Sequence, residues 1–399
     1  MIEISTQLKI FAIAALLSPA PLAAHYETDG RGEAILRYLE QVRNETGAPG
    51  ISAAVGLEGE IVFSGGVGYA ELDNLTPANG GTVWNVGSVS KVLAGVAVMQ
   101  LVERGAVRLD DPIQTYVPSY PEKGARITLQ HILTHTSGIR HYREGEFGPH
   151  GLYEARHFDD INDAIEHFRN DPLLFDPGEF YFYSSHAFNL LQGVVETASG
   201  LGFEEYMRRF VWEPAGMLSS SFDVPSRIVH RRGRGYVRNE RGVLGNAPYV
   251  DPSYKYAGGG MLSTADDLVR FGQAINDGTL LKPETVATMF AVHVDPVMEF
   301  HPGGEPVKRD FKMALGFQLD EDAEGRWYIN KTGTVKGTRS VVIDYPELDL
   351  VVALQANSLP FDARKHAQAI AQLYLPPVHG VYPTTRQRKT STDASRGAR

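Results

Sequence analysis

Cysteine is absent from all 399 residues. That excludes disulfides, thiolate nucleophiles and cysteine-bound zinc. It leaves the compartment open, because an exported bacterial protein can also do without cysteine. Basic charge is in deficit: 38 Lys and Arg stand against 48 Asp and Glu, a formal net charge of −10. Such a balance argues against nucleic acid as the main partner, since phosphate binding wants a basic face. Past the N-terminus no apolar run approaches the ~20 residues of a membrane helix, so no integral membrane segment is expected in the mature chain. What remains is ordinary globular composition, 43% hydrophobic and 22% charged, enough for a large core in one or two domains.

The two ends read differently from the middle. A short apolar run, IFAIAALL from Ile10 to Leu17, precedes small residues at Ala23 and Ala24. Residues 1–24 are therefore expected to be a signal peptide cut before His25, making the mature protein periplasmic or secreted. Its front is thin in charge, with Lys9 opposed by Glu3. Residues 376–399 are basic and polar with almost nothing to bury, so a disordered tail is expected there. Residues 25–375 are left for a single domain.

Within that domain, Ile35, Leu36, Leu39 and Val42 recur at helical spacing over Arg31 to Glu45. A hairpin follows, two β-rich runs around the EGE that starts at Glu58. Near the far end RWYINKTG, RSVVIDY and DLVVALQAN read as strands, and Asp362 to Tyr374 as a closing helix. The segment between the ends reads as mostly helical with long loops. Strands at both ends with helices between imply an α+β architecture: one antiparallel sheet built from both termini and flanked by helices, with a mainly helical lobe on its other face. A site is expected in the cleft between sheet and lobe.

Three short pieces carry chemistry. Ser88 and Lys91 lie three apart at the start of a helix that is apolar almost all round from Val92 to Val102, with Gly105 suited to its end. Burial and the positive helix end disfavour an ammonium, and a neutral amine could take the serine proton. The plainer reading has Ser88 capping the helix and Lys91 reaching outward. Lys331-Thr332-Gly333 stands at a strand end, where glycine permits close approach of a ligand and the strand edge could pair with an extended substrate. The plainer reading there is a polar strand end. Tyr183-Ser184-Ser185 follows a turn at Pro177 and Gly178 and precedes a helix from about Ala187. A phenol beside two amines can serve as a general base, and in isolation a packed aromatic is the plainer reading.

Taken in order, the three pieces resemble the serine β-lactamase and penicillin-recognising family, matching its first (Ser88 to Lys91), second (Tyr183 to Ser185) and third (Lys331 to Gly333) motifs. The likeness spans nearly the whole chain after the leader. PYVDPSYKYAGGG narrows it to the serine β-lactamase-like branch known from mitochondria and many bacteria, classed as probable serine peptidases. The resemblance implies the β-lactamase/transpeptidase-like fold and a serine hydrolase working through an acyl-enzyme. It implies Ser88 as nucleophile, Lys91 as its activating partner and Tyr183 as proton shuttle. Lys331, Thr332, Gly333 and Ser185 would face a small-molecule or peptide substrate, and the backbone N–H groups of Ser88 and Thr334 would form the oxyanion hole. It calls for no cofactor and leaves the oligomeric state open. Ser185 departs from the asparagine frequent at its position, and a hydroxyl reaches less far than a carboxamide. Peptide, amide or ester hydrolysis is therefore preferred over β-lactam turnover. A true β-lactamase or D,D-carboxypeptidase is the alternative, and a non-catalytic scaffold on the same fold is the alternative of another class.

Two further stretches invite other readings. HILTHTSGIRH has the spacing of a zinc-protease motif at His131, His135, Gly138 and His141. Ile132 stands where that motif needs its glutamate base, and THTSG reads as a helix end and turn, so no metal is expected and His135 is expected to bond nearby backbone. Gly258-Gly259-Gly260 lacks a phosphate-loop lysine after it. Ser263 with Asp266 reads instead as a capped helix start, with Leu268, Phe271 and Ile275 facing inward.

Overall fold

The structure, a computed structural model, describes residues 25–26, 30–143, 145–146 and 155–377. The expected signal peptide and all but the first two residues of the expected tail lie outside these. Among the described residues, strands from both chain ends join in one nine-stranded antiparallel sheet. Its longer members are β1 (Gly50–Leu57), β2 (Glu60–Glu71), β3 (Gln318–Glu321), β4 (Trp327–Val335), β5 (Thr338–Tyr345) and β6 (Leu350–Ala356). They lie side by side as β2-β1-β6-β5-β4-β3. The join between the chain's two ends is the β1–β6 pairing, with Ala54 opposite Ala353.

Alternation along the strands sorts side chains into two cores. On one face Ala53 and Val55 of β1 and Val352 and Leu354 of β6 pack with Ile35, Leu39, Ala367 and Ile370. These last four belong to α1 (Arg31–Thr46) and the closing helix Ala363–Ala371. On the other face Ala54, Val351 and Ala353 join the larger core of the helical lobe. That core contains α2 (Ser90–Glu103), α3 (Ser185–Ser199) and α4 (Ala265–Asn276); the closing helix is α5. Every residue of α2 from Ser90 to Leu101 is buried, as its apolar sequence requires.

The sequence pattern misplaces some detail. The cap of α4 is Thr264, whose extended backbone lets its hydroxyl accept from Asp267 N at 3.0 Å; Ser263 is the last residue of a short strand. The lobe also contains short β-ribbons and bridges, such as Trp84–Asn85 with Met261–Ser263. Strand β3 lies on charged residues with little alternation to announce it. At the chain's far end the Pro376 carbonyl accepts from Arg326 at 2.8 Å.

Candidate active site

The start of α2 is built around an exception to helix capping. A tight turn over Gly87–Val89 leads into Ser90, and neither has a side-chain cap. The Ser88 hydroxyl is engaged elsewhere: Lys91 Nζ lies 3.1 Å away, and Tyr183 donates to Ser88 Oγ at 2.6 Å. Lys91 is fully buried. It donates to the Gly258 carbonyl at 2.5 Å and to Ser185 Oγ at 2.9 Å. Burial pushes its pKa well below that of an ordinary lysine.

The Tyr183 segment is held by the histidine stretch. His135 Nδ1 accepts from Ser184 N at 3.2 Å, and His141 Nδ1 accepts from Ser185 N at 3.1 Å. The His135 carbonyl takes Phe182 N at 2.8 Å. Its ring packs 4.4 Å from Tyr183 and 4.7 Å from Phe188. His135 has φ 58°, a left-handed backbone rarely adopted outside glycine, and these contacts compensate its strain. His131 closes a capping box with Thr128. The three imidazoles thus serve backbone amides of three residues. Among the described residues no group of three or more His, Asp or Glu side chains is arranged to hold a metal.

Strand β4 supplies the opposite wall. Its pairing with β3 ends at Asn330, while pairing with β5 continues to Val335. Lys331 to Val335 therefore present one free edge to the cleft. Two glycines allow this edge to cross the α2 turn. A Cβ on Gly333 would sit 1.9 Å from the Val86 carbonyl oxygen and 2.8 Å from Ser88 N. A Cβ on Gly87, at φ 52°, would sit 2.6 Å from Thr334 N. The crossing brings the Ser88 and Thr334 amides into one corner, and only side-chain-free residues fit there.

All eight residues expected from the sequence come together except that Lys91 lies behind the wall. Ser88, Tyr183, Ser185, Lys331, Thr332, Gly333 and Thr334 line one cleft of about 430 Å³. Lys331 Nζ sits 5.0 Å from the Tyr183 ring centroid and Lys91 Nζ 4.9 Å. Burial, aided by Lys91 and opposed by Tyr183, lowers Lys331 to about 8. The Ser185 hydroxyl faces the cleft but is already engaged by Lys91.

Sequence reasoning did not assign the other cleft residues to the site, among them Gly87, His141, Lys255 and Arg339. Arg339 donates to Thr334 Oγ1 across the β4–β5 ladder. Lys255 Nζ lies 5.9 Å from the Tyr142 ring centroid and 5.1 Å from that of Tyr254. Burial, then Lys336 and Lys91, lowers it to about 7 against the pull of Asp223. Its lysine stands without an acidic neighbour in SYKYAGGG, the one sequence signal that could have marked it.

The β-lactamase family model matches residues 35–375. The chain is 30% identical over 393 residues to human serine beta-lactamase-like protein LACTB, mitochondrial, covering 77% of this chain and 71% of that one. It is 30% identical over 280 residues to esterase EstB of Burkholderia gladioli, covering 62% and 71%. The solved structure of a D-amino acid amidase from Ochrobactrum anthropi, complexed with L-phenylalanine amide, superposes with a TM-score of 0.72 at 21% identity. It covers 86% of this chain and 99% of that one. The family match begins inside α1 and runs past the end of α5, so it takes in every strand and helix that shapes the cleft: the chain belongs to the β-lactamase family of serine hydrolases.

Proposed function

We propose that the protein hydrolyses peptide, amide or ester substrates through an acyl-enzyme on Ser88. The observation that carries this reading is the contact set of Ser88 Oγ, with Tyr183 at 2.6 Å and the buried Lys91 amine at 3.1 Å. A neutral amine has two hydrogens and one lone pair. The hydrogens satisfy Gly258 O and Ser185 Oγ, and the lone pair faces the serine.

In the first step the Ser88 proton passes to Lys91 as Oγ bonds to the substrate carbonyl carbon. The developing oxyanion lies toward the Ser88 and Thr334 amides, donors already fixed in place. Tyr183 gives its proton to the leaving group as the C–N or C–O bond breaks, and Lys91 returns a proton to Tyr183. Water then attacks the ester by the reverse relay, releasing the acid and restoring Ser88. Lys331 and Arg339 suit a substrate carboxylate on the β4 side. The leader, with its apolar run and small residues before His25, supports an exported protein.

A fluorescent fluorophosphonate tests the reading. Wild type takes the label and Ser88→Ala does not; equal labelling of both removes Ser88 from its role. Nitrocefin, offered at high enzyme concentration, separates this reading from a true β-lactamase.

A further inference from the structure

His141 has a hydrogen-bonding state fixed by the fold. Its Nδ1 accepts the Ser185 N–H at 3.1 Å, so in the neutral ring the proton belongs on Nε2. The ring stacks on Tyr142 at 4.4 Å and meets the Tyr183 edge at 5.4 Å, leaving it little freedom to turn. Burial, then Lys91, Lys255 and Arg140, lowers its pKa to about 3 against Glu146, so the ring is neutral at working pH. It lines the cleft on the helical side, across from β4, and its Nε2 has no partner among the described residues. Lys255 lines the same side. Its Cδ lies 3.7 Å from the place a Gly259 Cβ would occupy, and that place is 3.6 Å from the Gly87 backbone carbon. The Lys255 stem thus runs beside the nucleophile turn. No carboxylate pairs with it among the described residues.

We infer that His141 and Lys255 form a hydrogen-bond-donating subsite for the carbonyl oxygen of an amide on the acyl side of the substrate, so that the enzyme selects N-acylated substrates over free amines. This rests on the acyl-enzyme reading above and names the substrate class for it. Ser185 leaves the role open: its short hydroxyl is held by Lys91, whereas the imidazole N–H stands free to meet an acceptor. An acceptor suits both groups, while a substrate ammonium would meet the fixed imidazole N–H and a lysine that carries its charge in part near neutral pH. A polar group built to bond a substrate group discriminates against the analogue lacking it, because the donor is then desolvated without a partner.

The test uses three p-nitrophenyl esters with the full-length protein: N-acetylphenylalanine, 3-phenylpropanoate and phenylalanine with its amine free, both enantiomers where they exist. The quantity read is the ratio of kcat/KM values. Wild type is expected to favour the N-acetyl ester over the phenylpropanoate by about tenfold or more, and the free amine least. His141→Leu brings the first ratio to about one, and His141→Gln, which keeps an N–H donor, restores most of it. Lys255→Met narrows the gap between the N-acetyl and free-amine esters. A wild-type ratio near one, or a ratio that His141→Leu leaves unchanged while all rates fall together, overturns the subsite and makes His141 a prop for Ser185. Absence of any turnover, with no label on Ser88, is a different result: it removes the acyl-enzyme reading and this inference with it.

Discussion

Two clusters of largely buried charge flank the Tyr183–His186 segment, and they are built in opposite ways. Behind it, Arg140 is paired with Glu146 at 2.6 Å and Asp171 at 2.5 Å, and it also donates to the carbonyls of His141 and His167. Burial alone would push Glu146 up, but hydrogen bonds from His186 and Arg140 hold its carboxyl well below the usual range. In front of it, Lys91 and Lys331 are buried and Lys255 half-buried, with no carboxylate in an ion pair with any of them among the described residues. A paired cluster fixes shape, and an unpaired one keeps amines short of protons and ready for proton transfer. Both touch the same backbone: Ser184 Oγ donates to the Arg140 carbonyl, and Ser185 Oγ accepts from Lys91. One cluster positions what the other uses.

The sharpest break of this contrast is Ser88→Ala. It removes the hydroxyl that Lys91 and Tyr183 contact, and under the proposed acyl-enzyme chemistry ester hydrolysis should fall on the order of 10⁴-fold or more with the fold intact by circular dichroism. Arg140→Ala breaks the other cluster. It leaves Glu146 without its cation and Asp171 with only the exposed Arg143 at 3.5 Å, and urea unfolding should show a loss of about 3 kcal/mol. A loss near zero would mean the pairing is ornamental.

Lys331→Met should move stability the other way. The folded pKa of Lys331 lies at about 8, below the ordinary 10.5. The unfolded chain therefore binds more protons between those values, and stability rises with pH across that window. Below it the full cost of the buried charge is present, on the order of 3 kcal/mol. The methionine variant should thus melt higher than wild type near neutral pH, with the difference shrinking above pH 8, while activity drops. The smallest effect is on rate. Toward a substrate bearing a carboxylate, kcat/KM should fall about tenfold per unit above pH ~8 as Lys331 loses its proton, and the matching carboxamide should fall less.

The sequence showed the parts that repeat locally and missed those that depend on distant contacts. Strands β4, β5 and β6 and helix α2 follow from apolar period and turn residues. Ser88, Lys91, Tyr183 and Lys331 were legible because they sit in short motifs in a fixed order. His141 was not, because its use depends on Ser185 N, 44 residues away. The place of Lys255 depends on the rings of Tyr142 and Tyr254, the first of them far away in sequence, and Arg339 gains its place from a cross-strand neighbour. The α4 cap fell one residue from its expected position because Ser263 and Thr264 both carry hydroxyls, and only the backbone angles choose between them.

Intact-mass spectrometry after mixing the protein with p-nitrophenyl acetate tests the central claim most directly. One acetyl group per chain, on the peptide containing Ser88 and absent from Ser88→Ala, is the predicted result. An unmodified chain that still releases nitrophenol, or an acetyl group found elsewhere while Ser88→Ala keeps full turnover, would contradict it.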